Sequence, residues 1–337
     1  MKNEQKYTQF SLCQEMMDTP GVMRDFKLTD ADAVVSAIKS TGKLFLTGEG
    51  SSRIFPAKNA ITQYMRKGGD LQIMTEGGRQ AAEYDLSNWA VFGASNSGST
   101  AEVIMLLNAL KGAGHDKLFG LTARENTKLA EMANQTFVLK CGWENAVAAT
   151  KSVAEQALFY QAIVEAAQGR DISAKLGEVA DACQTALTAE IDPTLTEKIA
   201  NAGTIYFAGR NDGVAEELTL KTNEITRKKS DFLEGTYAVH GIEEVMNADD
   251  VVIFINPFDA ELEKIKTTLV DGVGLTVIAI SDKDTIFPTI KVPHVEGMET
   301  YAQLCAGWNI LVEVGVKLGI NLDKAERARK VGNEFTG

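Results

Sequence analysis

Apolar residues follow two alternating rhythms along this chain. Short apolar runs, of the length of buried strands, occur at Lys43–Gly48, Leu71–Met74, Trp89–Ala94 and Lys117–Thr122. They return at Thr204–Gly209, Asp250–Asn256 and 276–281. Between them the apolar positions recur at helical spacing. Residues 9–41 hold two such patterns, one with Leu12, Met16 and Met17, the other with Ala31, Val34, Val35 and Ile38. A helix is predicted from Ile54 to Lys67, another follows Val103, and 146–200 reads as almost wholly helical, beginning with Val147 to Gln168. Strands that alternate with helices imply right-handed crossovers and a doubly wound parallel sheet.

The second set of runs repeats the first. Gly48 and Gly209 lie 161 positions apart, Ser95 and Asn256 also 161, and Thr122 and Ser281 159. Three strand ends at nearly one offset predict an internal duplication. The expected fold is therefore α/β, with two tandem doubly wound, flavodoxin-like parallel-sheet domains. We place a helical lead-in at 1–30, the first domain at 31–170, a helical linker at 171–195, the second domain at 196–325 and a tail at 326–337.

Composition narrows the function classes. At 337 residues the chain is long enough for two domains, and 45% hydrophobic with 24% charged residues is a globular composition. It has no apolar stretch of membrane-spanning length, and Met1–Tyr7 lacks the apolar core of a signal peptide, so a cytoplasmic protein is expected. The net charge of −12 argues against nucleic acid as a partner. Cys13, Cys141, Cys183 and Cys305 are isolated from one another, which suits buried thiols and neither a disulfide framework nor a metal knuckle. No metal or other cofactor is expected.

An acidic chain must build any anion site locally, and one stretch does so. Trp89–Val103 reads as a buried strand, a turn and the start of a helix, and the turn holds Ser95, Asn96, Ser97, Gly98, Ser99 and Thr100. The first N–H groups of a helix are unpaired within it and carry the positive end of its dipole, so they attract an anion such as phosphate. Four hydroxyls add rotatable donors, and the glycine permits close approach. A single hydroxyl there would be an ordinary helix cap. A second glycine-serine turn, Glu49-Gly50-Ser51-Ser52-Arg53, follows the first strand. The corresponding turn of the second repeat, Asn256–Glu261, brings acids and no serine, so one phosphate site per chain is expected.

The second domain offers acid–base groups. Lys221 and Glu224 share a helical face, and His240 follows in a loop marked by Gly235 and Gly241. A carboxylate, an imidazole and a lysine suit aldose–ketose chemistry, which needs a base for the proton on carbon 1 or 2 and an acid for ring opening. On a purely structural reading Lys221 and Glu224 form a surface ion pair, and His115 and His294 are structural or merely exposed.

These segments resemble the sugar isomerase (SIS) domain proteins over nearly the whole chain. The resemblance is greatest to the two-domain isomerase half of glucosamine-6-phosphate synthases. Gly50-Ser51-Ser52 matches the family's Gly-Thr-Ser turn, Ser95–Thr100 its Ser-Gln-Ser-Gly-Glu-Thr loop, and Glu144–Lys151 its Glu-x-x-Val-Ala-Ser-Thr-Lys stretch. Leu220–Glu224, His240-Gly241 and Asn321–Lys330 match three more. The resemblance implies that Ser51, Ser52, Ser95, Asn96, Ser97 and Thr100 hold phosphate and sugar hydroxyls, with Glu144 and Val147 beside them. It implies that Glu224 moves the proton between carbons 1 and 2, that Lys221 assists, and that His240 opens the ring, lent by the second subunit of a homodimer with a shared active site. Lys330 stands where the family forms an imine with a ketose, although without the resemblance it reads as one cation of a basic run. The chain departs from the family in three respects. No glutaminase half precedes it, Thr236–Ile242 lacks the glutamate before His-Gly, and Ser99 and Ala149 replace a glutamate and a serine.

Three functions fit. The first is a sugar-phosphate enzyme acting on a hexose phosphate, in particular an amino-sugar phosphate, by ring opening and a 1,2 proton shift, as an aldose–ketose isomerase or a deaminase. The second is a deglycase that cleaves a fructosamine 6-phosphate. The third is a non-catalytic phosphosugar-binding sensor.

Overall fold

The computed structural model describes residues 1–329 and 333–336. The chain runs α1 (Gln5–Thr8), α2 (Ser11–Asp25), α3 (Asp32–Thr41), β1 (Lys43–Thr47), α4 (Ile54–Arg66), β2 (Gln72–Glu76), α5 (Gly78–Ala81), β3 (Ala90–Ala94) and α6 (Ala101–Gly112). It continues through β4 (Leu118–Thr122), α7 (Lys128–Met132), β5 (Gln135–Val138), α8 (Lys151–Ala167), α9 (Leu176–Thr188) and α10 (Pro193–Asn201). The second half holds β6 (Ile205–Gly209), α11 (Val214–Thr226), β7 (Ser230–Glu234), β8 (Val251–Ile255), α12 (Leu262–Ile265), β9 (Thr276–Ser281), β10 (Thr289–Lys291) and α13 (Glu299–Lys317).

Two five-stranded parallel sheets result. Their orders, β2-β1-β3-β4-β5 and β7-β6-β8-β9-β10, are one topology read twice. The repeat extends to register: Leu44 pairs Ala90 in the first sheet, and Ile205 pairs Val251, 161 positions on, in the second. The predicted α/β class and duplication are thus present in the backbone.

The chain divides into two compact units, one holding Gly21–Glu144, Ala149–Gly177 and Arg327–Gly337, the other Met1–Pro20, Asn145–Ala148 and Glu178–Glu326. The lead-in therefore does not stand alone. The first turn of α2 is tied within the second unit, where the Asp323 carboxylate accepts from the N–H groups of Ser11 and Leu12 at 3.0 and 2.8 Å. This carboxylate meets the positive end of the helix.

In the first unit, β3 is buried along its whole length and its residues alternate between two faces. Val91 and Gly93 face α6, where a Cβ on Gly93 would stand 2.8 Å from Val103 Cγ1, so the glycine allows α6 to approach. Phe92 faces the other way, stacked on Phe119 and Phe137 and edge-on to Phe159 and Tyr160 of α8. α4 packs on α8.

Two expectations are corrected. The helix read from Val147 begins at Lys151. Carboxylates hold the residues before it out of helical form: Glu15 accepts from the N–H groups of Asn145 and Ala146, and Glu144 from that of Thr150. Cys141 lies only half-buried in the loop after β5, whereas Cys13, Cys183 and Cys305 are buried.

Candidate functional site

β1 and β3 are neighbours whose following helices, α4 and α6, pack on opposite faces of the first sheet. This is the topological switch point of a doubly wound sheet, where crevices for ligands open beyond the strand ends. Both serine turns lie there. Glu49 in the first accepts from Gly78 N at 2.9 Å and so caps α5. Ser51 and Ser52 follow, half-buried.

The second turn forms a hydrogen-bonded chain of hydroxyls, Thr100–Ser95–Ser97–Ser99. Ser95 Oγ lies 2.8 Å from Thr100 Oγ1 and 3.4 Å from Ser97 Oγ, which in turn accepts from Ser99 Oγ at 2.8 Å. Ser95 Oγ also accepts from Thr100 N at 3.3 Å, and Ser97 Oγ from Ser99 N at 3.2 Å. Hydroxyl protons rotate freely, so the chain of hydroxyls can re-aim its donors at an anion without moving the backbone. Gly98 makes the bend possible. It has φ +66°, and a Cβ there would lie 2.3 Å from the Thr127 side chain.

Asn96 and Glu144 support this turn from below. Asn96 Nδ2 donates to Ser152 Oγ at 2.7 Å, and Asn96 Oδ1 accepts from Gln156 Nε2 at 2.6 Å, both on α8. Ser152 Oγ donates in turn to the Glu144 carboxylate, which also accepts from Thr150 Oγ1 at 2.8 Å. The amide of Asn96 is thereby tied to α8 instead of facing an incoming ligand, so what it contributes to the turn is position. Sequence reasoning missed Ser152 and Gln156, whose polarity on an otherwise apolar helix was the available signal.

The tail also reaches the turn. Thr100 and Glu334 form an isolated antiparallel bridge, with Ala101 N donating to Asn333 O at 3.1 Å and Phe335 N to Ser99 O at 2.9 Å. Lys128 Nζ donates to Phe335 O at 2.8 Å, and the Phe335 ring packs on the apolar face beneath α6. Lys330 lies outside the described residues.

In the second unit, α11 carries Glu217, Lys221 and Glu224. Lys221 and Glu217 have no exposed side-chain surface, while that of Glu224 is 26% exposed. Lys221 Nζ lies 2.8 Å from Glu224 Oε2 and 3.3 Å from Glu217 Oε1. The surface ion pair considered from sequence is therefore a buried triad, and Glu217 is its unforeseen member. Burial by itself pushes the Lys221 ammonium down, but the carboxylates of Glu224 and Glu217 outweigh it and hold its pKa above the ordinary lysine value. Lys221 is thus a fixed cation that orients Glu224, the one acid–base group of the triad open to solvent. At the end of α11, Arg227 adopts φ 55° and donates to Lys324 O at 2.6 Å, clamping the segment that leads toward the tail. Val147 sits in this unit, its N–H donating to Asp323 O at 3.2 Å.

His240 is exposed after Val239, with Lys264 Nζ 3.5 Å from its Nε2. Among the described residues no hydrogen bond joins it to Glu224. The other histidines have structural partners. His115 Nδ1 accepts from Lys117 N at 3.1 Å, which leaves the proton on Nε2 to donate to Leu86 O at 3.0 Å, and His294 lies 2.7 Å from Asp282. Burial pushes the thiols of Cys13, Cys141 and Cys183 up, away from nucleophilic thiolate. Among the described residues no cluster of His, Cys, Asp and Glu is placed to hold a metal ion, and no helix is long and apolar enough to cross a membrane.

The second sheet's equivalent of the hydroxyl turn is closed. Asn256, at φ 45°, has its carbonyl taken by the Arg210 guanidinium, which stacks 4.1 Å from the Phe258 ring. Asp212 Oδ1 accepts from Val214 N at 3.1 Å, so α11 already carries an anion at its N-terminus.

No family model matches the chain. Its sequence is 26% identical over 222 residues to the isomerizing glutamine–fructose-6-phosphate aminotransferase of Vibrio cholerae, a stretch that is 60% of this chain and 36% of that relative. The chain thus spans little more than a third of the length of the curated relatives it matches. In structure it superposes on the C-terminal domain of the Francisella tularensis glucosamine-fructose-6-phosphate aminotransferase with a TM-score of 0.79, at 16% identity over 94% of this chain and 98% of that one. The tagatose-6-phosphate ketose/aldose isomerase of Escherichia coli gives 0.77, at 18% identity over 96% and 98%. The chain therefore has the tandem α/β fold of the C-terminal domain of glucosamine-fructose-6-phosphate aminotransferase, and over the matched stretch its sequence is similar to isomerizing glutamine–fructose-6-phosphate aminotransferases.

Proposed function

We propose that the chain is an enzyme that binds a hexose phosphate, in particular an amino-sugar phosphate, and moves a proton between carbons 1 and 2 after ring opening. The observation that carries this reading is the linked chain of hydroxyls of Thr100, Ser95, Ser97 and Ser99 at the mouth of the switch point. It is a neutral cradle in an acidic chain, and its counterpart in the second repeat, Asn256–Glu261, has acids in place of the hydroxyls and the Asn256 carbonyl taken by Arg210. Ser52 joins it from the neighbouring turn. Glu224 serves as the base. His240, which among the described residues has no hydrogen bond to Glu224, acts as ring-opening acid from the second subunit of a homodimer. Lys330 is assigned the imine. The same chemistry serves isomerisation and deamination, and we place it in the cytoplasm.

Thermal unfolding tests the cradle. Fructose 6-phosphate at about a hundred times its dissociation constant stabilises a single site by about 2.7 kcal/mol, a rise in Tm of roughly 5 °C. Ser95→Ala removes the hydroxyl shared by Ser97 and Thr100 and is expected to abolish most of that rise while leaving the unliganded Tm within a few degrees. Absence of any shift with wild-type protein at millimolar ligand would remove the phosphosugar reading.

A further inference from the structure

The chain of hydroxyls is neutral, whereas a phosphate ester carries about two negative charges above pH 7 and would enter a chain of net charge −12. A cation stands in the adjoining turn. Arg53 closes the Glu49–Arg53 turn, its N–H donating to Gly50 O at 2.9 Å, and leads into α4, its carbonyl accepting from Ala57 N at 3.0 Å. The two turns meet at Gly48, where a Cβ would lie 2.8 Å from Ser52 O and 3.2 Å from the carbonyl oxygen of Ala94, the residue before Ser95. Arg53 therefore borders the same crevice as the hydroxyls and belongs to the same unit.

The Arg53 side chain is partly buried, and its Nε is withdrawn from solvent with no hydrogen-bond partner among the described residues. The acid of its own turn, Glu49, is engaged by Gly78 N at 2.9 Å. Other cations of this unit are neutralised: Lys67 and Arg170 share the buried carboxylate of Glu165. Among the described residues no carboxylate does this for Arg53. Taking a guanidinium N–H out of water without an acceptor is costly. An anion bound at the switch point offsets that cost, and the fork of a guanidinium matches two oxygens of a phosphate.

We infer that Arg53 is the counter-charge of the bound phosphate and sets the site's preference for a doubly charged ester. This deepens the phosphosugar reading and rests on it. The hydroxyls of Ser95, Ser97, Ser99 and Thr100 recognise the shape of the tetrahedral group, and Arg53 recognises its charge.

Calorimetric titration of the full chain at pH 8 with fructose 6-phosphate and fructose 6-sulfate tests the inference, because the two esters share a shape and differ by about one charge above the second phosphate pKa of about 6. Wild-type protein is expected to prefer the phosphate. Arg53→Met, which keeps an aliphatic stem, is expected to weaken phosphate binding roughly tenfold to a hundredfold, the size of a hydrogen bond to a charged group, and to weaken sulfate binding less, so that the preference shrinks. Arg53→Lys, which keeps the charge without the fork, is expected to retain part of the preference. Ser95→Ala is expected to weaken both esters alike and leave their ratio unchanged. The unliganded Tm of each variant reports folding, and should Arg53→Met fail to fold, the ratio in Arg53→Lys decides. An unchanged phosphate-to-sulfate ratio in the Arg53 variants, whether both affinities hold or both fall equally, overturns the assignment and leaves the phosphosugar reading intact. Failure of wild-type protein to bind fructose 6-phosphate overturns both.

Discussion

Glu224→Gln is expected to abolish exchange of the carbon-2 hydrogen of glucosamine 6-phosphate with deuterated water, with a loss of about 10²- to 10⁴-fold, the usual contribution of a positioned general base. The substitution preserves shape and still offers an amide oxygen to Lys221 at the 2.8 Å position. It removes only the capacity to take a proton. Phosphate affinity is expected to be unchanged, because the hydroxyl turn belongs to the other unit. Proton NMR of the sugar during incubation measures the exchange, and the Tm shift with ligand reports binding separately. Exchange at the wild-type rate would remove Glu224 from the chemistry. Loss of both exchange and binding would mark the substitution as structural. Wild-type protein that binds but exchanges nothing would favour the sensor reading over the enzyme.

The elements most legible in the sequence are the buried ones. β1, β3, β4, β6, β8 and β9 are central strands whose faces are both covered, so they read as continuous apolar runs, and their repeat offset located the duplication before any register was known. β5, β7 and β10 went unpredicted. All three are sheet edges, so Gln135-Thr136-Phe137-Val138 and Ser230-Asp231-Phe232-Leu233-Glu234 carry mixed polarity that resembles loop. The hydroxyl turn was legible because its residue types crowd into six positions. Its support was not. Ser152 and Gln156 lie more than fifty residues away and act only through Asn96, a long-range relation that no local pattern encodes. Glu217 was hidden for a different reason: a charged residue four positions before a lysine is ordinarily read as a solvated helical pair, and only tertiary burial turns the two into a buried pair.

That burial sets the largest stability effect expected of this chain. Lys221→Met keeps the aliphatic stem and removes the cation, leaving the Glu217 carboxylate fully buried without its 3.3 Å counter-charge. Breaking a buried pair in this way costs about 3–5 kcal/mol, against the 0 to about 1 kcal/mol of an exposed pair. In wild-type protein the lysine's folded pKa is raised, so its contribution is fully present below the ordinary lysine range and fades only as pH rises through the folded value; no loss is expected around neutrality. In Lys221→Met the sign of the dependence falls on the acid instead. A buried carboxyl without its cation has a folded pKa above the unfolded value of about 4.3, so the deficit is full at neutral pH and shrinks as pH falls toward that value. Glu217→Gln introduced into Lys221→Met removes the buried negative charge and is expected to restore part of the stability, a coupling that additive effects do not give. Urea denaturation of the wild type and the single and double variants at neutral and mildly acidic pH measures all three terms. A deficit below about 1 kcal/mol that does not change with pH would place Lys221 among ordinary surface pairs, and Glu224 would then have to be held in position by something other than the lysine beneath it.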